Sequence, residues 1–110
     1  MPIIQKFAAL AANTTVSALA GEQFEFVSGR PAIIEFGCNG SAAGLTASFF
    51  IGAETLAEGI NINTQNRYCI FPDDIICKDV ANVGDKLTVK INNTTGGALN
   101  WFLTVSITYL

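Results

Sequence analysis

Hydrophobic and polar residues alternate most regularly near the C-terminal end of this 110-residue chain. Over residues 87–91, Leu87, Val89 and Ile91 alternate with Thr88 and Lys90. Over residues 98–110, Leu99, Trp101, Leu103, Val105, Ile107 and Tyr109 alternate with Asn100, Phe102, Thr104, Ser106 and Thr108. A period of two with β-branched and aromatic residues predicts strands with one buried face. The polar, glycine-containing stretch 92–97 between them marks either a hairpin or a crossing between strands.

Weaker versions of the pattern run through the rest of the chain. Phe24 and Phe26 share one face of 22–27, and Ala32, Ile34, Phe36 and Cys38 share one face of 32–38. Ser28-Gly29-Arg30-Pro31 between them has turn composition, so 24–38 reads as a hairpin. Leu45, Ala47, Phe49 and Ile51 form an inward set. Residues 52–59 read as a turn or a short helical piece, and 60–63 alternate again. Residues 67–71 read as a strand closed by Pro72, and 75–80 as a capped helical turn or a short strand. Near the start, Ile3 and Ile4 are adjacent and would point to opposite faces of a strand. Residues 1–12 read as an arm that lies on a neighbour, an edge strand, or a short helix around residues 7–12. The arm reading expects a chain lacking residues 2–12 to fold but to assemble poorly. In all, seven to nine short strands separated by turns predict an all-β fold, an antiparallel β-sandwich of jelly-roll-like type, as one domain over 1–110. The sole tryptophan, Trp101, follows all three cysteines, which argues against an immunoglobulin arrangement.

Composition adds a functional hint. Charged residues make up 14% of the chain, against roughly 25% in ordinary soluble domains. A weakly charged surface with apolar residues on outward positions suits contact with other protein. Ile33, Phe50 and Phe102 fall on nominally outward faces. With Ile3, Ile4 and Phe7 they are the candidate interface residues, and they predict a closed homo-oligomer, with a trimer favoured. The net charge is −3, and Lys6, Arg30, Arg67, Lys78, Lys86 and Lys90 are scattered, so no nucleic-acid partner is expected. No apolar run approaches the roughly 20 residues that span a bilayer, so no membrane partner is expected either.

Candidate chemistry is sparse. The chain has no histidine, which removes the usual nucleophilic triad and the commonest metal ligand. Glu54 and Glu58 sit in a short connection, and Asp73, Asp74, Asp79 and Asp85 match no cation loop. No catalytic residue, metal site or cofactor is expected. Cys38, Cys69 and Cys77 are odd in number and are expected to be free thiols, although Cys69 and Cys77 flank a turn. Sequons at Asn13, Asn39, Asn92 and Asn93 follow from the abundance of Asn and Thr. Residues 1–21 loosely mimic a leader, but Asn13-Thr14-Thr15 interrupts the apolar part. The expectation is a protein made in a host cytoplasm without a signal peptide. Phe50, Tyr68 and Phe102 are candidate saccharide contacts, and a carbohydrate-binding or adhesive module is the alternative function.

Gly-Asp-Lys-Leu-Thr-Val-Lys-Ile-Asn-Asn-Thr-Thr (84–95), followed by a long final strand, resembles the closing hairpin of small β-sandwich virion proteins of phages. The Met-Pro start, the Ala, Asn and Thr richness, the low charge and the lack of histidine are similar to that group. The resemblance implies a non-enzymatic structural protein of the virus particle. It would be a capsid decoration (cement) or minor capsid protein that resides in the virion and contacts itself and other virion proteins.

Overall fold

The computed structural model describes residues 3–21, 25–70 and 73–110. The described residues form nine strands and no helix: β1 (Ile3–Leu10), β2 (Thr15–Ser17), β3 (Ala32–Gly40), β4 (Leu45–Ile51), β5 (Glu54–Asn61), β6 (Asn63–Thr64), β7 (Cys77–Ala81), β8 (Leu87–Asn93) and β9 (Leu99–Tyr109). They make two sheets. The first runs β1-β9-β3, with β7 and the short β6 sharing the far side of β3; the second runs β2-β8-β4-β5. The antiparallel pairs are nested: β1 with β9, β2 with β8, β3 with β7 and β4 with β5. A long hairpin rolled so that β9 also meets β3 and β8 also meets β4 gives this order. It is a jelly roll, the two-sheet solution that pairs strands distant in sequence.

The alternation read from the sequence places the core. Trp101, Leu103, Val105 and Ile107 of β9 and Ala32, Ile34, Phe36 and Cys38 of β3 face inward from the first sheet. Leu87, Val89 and Ile91 of β8 and Leu45, Ala47, Phe49 and Ile51 of β4 meet them from the second. The rings of Phe36 and Phe49 touch across the interlayer space, with centroids 5.3 Å apart. Both sheets therefore share one core, and burial of its apolar area is the main favourable term of folding.

The stretch between β8 and β9 is a crossing, not a hairpin, because the two strands lie in different sheets. Asn93 holds it. Its side chain is buried; Nδ2 donates to Leu10 O (3.0 Å) and Gly97 O (2.8 Å), and Oδ1 accepts from Thr95 N (2.9 Å) and Thr95 Oγ1 (2.7 Å). One amide thus ties the end of β1 to the crossing.

Several local expectations are corrected. The hairpin over 24–38 does not form: β3 pairs with β9, β7 and β6, and Phe26 bridges Lys86 instead. The beginning of that expected hairpin, residues 22–24, lies outside the described residues. Residues 54–61 are a strand, not a helical piece, because Gly52 (φ 59°) makes the tight turn that returns the chain along β4. Residues 67–70 are an irregular connection instead of a strand; the last residue of that expected strand, Phe71, and the Pro72 that closes it lie outside the described residues. Asp74 Oδ2 accepts from Ile70 N (2.9 Å) and from Arg67 NH1 (2.7 Å), which closes this connection on itself. Residues 77–81 resolve as strand β7.

Candidate functional site

The outward face of the first sheet collects most of the candidate residues. In an antiparallel ladder, opposed residues share a face. Phe7 opposes Phe102, which opposes Asn39; Ile3 opposes Ser106, which opposes Glu35; and Thr108 opposes Ile33, which opposes Val80. Ile3, Phe7, Phe102 and Ile33 therefore lie on one surface. Ile4 does not: it opposes Val105 and packs against the core. Phe50 does not either, because it lies on the outward face of the second sheet, the far side of the molecule.

Phe102 occupies the one aromatic position on the otherwise polar side of β9, and its own chain covers it. The ring of Phe7 lies 4.9 Å away at 40°, and that of Tyr68 lies 5.4 Å away, edge on at 82°. Phe102 is left 9% exposed, while Phe7 is 48% exposed and Tyr68 37%. The result is an aromatic cluster whose base is buried and whose rim is open. Ile3 (57%), four residues from Phe7 on the same face of β1, and Ile70 (58%), two residues after Tyr68, are exposed as well. Ile3 and Phe7 stand on strand β1, whereas Tyr68 and Ile70 stand on an irregular connection.

The connection from Arg67 to Asp74 positions Tyr68. The Asn39 side chain, buried on the same face, donates from Nδ2 to Arg67 O (3.1 Å) and anchors the start of the connection. The Arg67–Asp74 ion pair closes it. Asp74 sits below the usual carboxylate range, first because it accepts the Ile70 amide and then because Arg67 bonds its charged form. Thr104 and Ser106, polar in sequence and outward on β9, are buried as well. The centre of this face is therefore already partly covered, and the apolar rim lies around it.

The opposite surface has different chemistry. Thr15, Ser17, Thr46, Ser48, Thr88 and Asn92 share the outward face of the second sheet with Phe50 and Lys90. The Lys90 ammonium lies 5.7 Å from the centre of the Phe50 ring. Phe50 is thus separated by the whole sandwich from Tyr68 and Phe102, so the three candidate saccharide contacts do not gather in one place.

The cysteines are three free thiols in the structure. Burial pushes Cys38 up to about 12 and Cys69 and Cys77 each up to about 11, so all three stay protonated at neutral pH. Asn39 and Asn93, two of the sequon residues, are buried. Among the described residues no pocket is found, no group of three or more His, Cys, Asp or Glu is placed to hold a metal ion, and no helix is long and apolar enough to cross a membrane.

Sequence reasoning missed Ile70 and Val80 as exposed apolar positions. Val80 stands in the odd–even pattern of β7, where Lys78 marks the same outward side, so the signal was present once the strand was accepted. Ile70 carries no such signal, because it lies in an irregular connection whose amide is held by Asp74 instead of a ladder. No family model, curated protein or solved structure matches the chain.

Proposed function

We propose that this protein is a non-enzymatic structural component of a virus particle, of the phage capsid decoration or minor capsid type, and that it works through protein–protein contacts. The observation that carries the reading is the aromatic cluster on the outward face of the first sheet, where Phe7 and Tyr68 stand partly exposed over a buried Phe102, with Ile3 exposed further along β1. Such a cluster gains by burial at about 25 cal/mol per Å² of apolar surface covered. The jelly-roll order supports the reading by analogy of fold, since capsid subunits use this architecture; lectins do too, and fold does not fix function. The saccharide alternative is less favoured because Phe50 stands apart and Phe102 is capped by its own chain.

The test is association with particles. Antibody against the chain should label gradient-purified particles of the virus that encodes it. The double variant Phe7→Ser with Tyr68→Ser should fold, by circular dichroism, and label far fewer. Absence of the intact chain from purified particles would sink the proposal.

A further inference from the structure

A β-sandwich must deal with its edges, because a free edge offers unpaired N–H and C=O groups to any other strand. Three of the edges in this molecule are blunted in recognisable ways. β5 carries Glu54 and Glu58, and its pairing with β4 shifts register twice. β2 is only three residues long. On the far side of β3, β6 has two residues and β7 carries Lys78 and Asp79. β1 differs from all of them. It has eight residues, holds one register against β9 from end to end, and carries no carboxylate. Its only charged residue, Lys6, lies on the inward face, where Nζ donates to Ala18 O at 2.9 Å. An inward lysine can itself guard an edge. Here the ammonium is drawn towards the turn after β2 and away from the seam that a new strand would occupy.

We infer that β1 is the docking edge for a second copy of this chain, which adds antiparallel across a two-fold axis centred on Phe7 and joins the first sheets of two molecules into one. The register follows from face and charge. An odd sum of opposed residue numbers would set outward residues against inward ones, which a continuous sheet forbids. Centring on Lys6 would set two inward lysines directly opposite, and like charges in that arrangement are destabilising even with each ammonium turned to its own Ala18. Centring on Phe7 opposes Phe7 with Phe7 of the partner subunit, an aromatic cross-strand pair of the stabilising kind. It also opposes Gln5 with Ala9, Lys6 with Ala8 and Ile4 with Leu10, so no like charges meet, and it uses seven of the eight residues of β1. The same operation brings the two aromatic rims, Phe7 over Phe102 with Tyr68, side by side across the axis. An isologous contact of this type closes at two copies.

The two-fold pair takes its purpose from the assembly role proposed above; its geometry stands without that role. Light scattering on the intact chain should give twice the chain mass. Phe7→Lys and Phe7→Glu should each give the single-chain mass, and their equimolar mixture should return to twice the mass, because unlike charges then meet at the axis. Phe7→Cys should form a disulfide-linked dimer under mild oxidation, whereas Ile3→Cys, which in this register faces the start of the β1–β2 connection, should not. Should the Phe7 variants fail to fold, Gln5→Glu and Ala9→Lys serve instead. Each alone should shift the mass towards that of a single chain, and both in one chain, where Glu at 5 opposes Lys at 9, should restore twice the mass. A single-chain mass for the intact protein, or a trimer indifferent to Phe7, overturns the pair. A chain that stays monomeric yet labels particles removes the pair and leaves the assembly role. A dimeric chain absent from particles does the reverse.

Discussion

Asn93 links more of the fold than any other polar side chain described. It sits at the inner end of β8, and its amide satisfies carbonyls from β1 and from the β8–β9 crossing. Removing a buried partner leaves those groups desolvated and unpaired, at about 1–3 kcal/mol. Asn93→Ala should therefore lower stability by about that amount in urea, with an unchanged m-value; a loss within error would show that the crossing is held elsewhere. Asp74 gives a pH-dependent counterpart. Its folded pKa is lowered, so its contribution is present above the ordinary carboxylate range and is lost as pH falls through the folded value. Hydrogen exchange of the Ile70 amide should accelerate relative to the core strands as pH falls through that folded value, below the ordinary carboxylate range, and Asp74→Asn should remove the dependence. The cysteines should resist alkylation at neutral pH in the folded state and react at all three positions once unfolded, because burial raises each thiol well above neutrality. Fast modification of Cys38 in native protein would contradict the packing around it.

At the scale of elements, β1 decides between two readings of the same residues. Its pairing with β9 covers a strand whose residues 101–107 are all buried. Ile4 and Ala8 pack on the core and Leu10 belongs to it. Removing residues 2–12 should therefore unfold the protein or leave it with a greatly reduced melting temperature, contrary to the expectation for a detachable arm. A cooperative, near-native melt of the shortened chain would restore the arm. The strands that were legible in the sequence are those with a clean period of two, β3, β4, β8 and β9. In each of them one face meets the core along its length, so burial writes itself into the pattern. β5 was illegible because its burial is weak and its register shifts break the alternation. The 67–70 connection misled for the opposite reason. Its Tyr68-Cys69-Ile70 alternates exposed and buried like a strand, but Asp74 and Asn39 satisfy its backbone in place of a ladder. Phe102 was legible as an outward aromatic; that Phe7 and Tyr68 cap it depends on the pairing of β1 with β9 and on a loop, neither of which a single sequence specifies.

The whole molecule has two unlike surfaces. The second sheet presents hydroxyls and amides with one cation-capped ring, a surface that water covers well. The first sheet presents an apolar rim and an eight-residue open edge on the same side. Low charge and a modest net charge of −3 set little repulsion against bringing copies together. Stability rests on the core between the sheets. Phe49→Ala, which empties a fully buried site against Phe36, should cost about 3–5 kcal/mol and be felt in both sheets at once. Assembly requires that one of these two surfaces meet protein. Hydroxyl-radical footprinting of the dilute free chain against the chain in its assembled form addresses this directly. Protection of Ile3, Phe7, Tyr68 and Ile70, with Phe50 labelled equally in both, is the predicted result. Protection confined to Phe50 and the second sheet, or no difference between the two states, would contradict it.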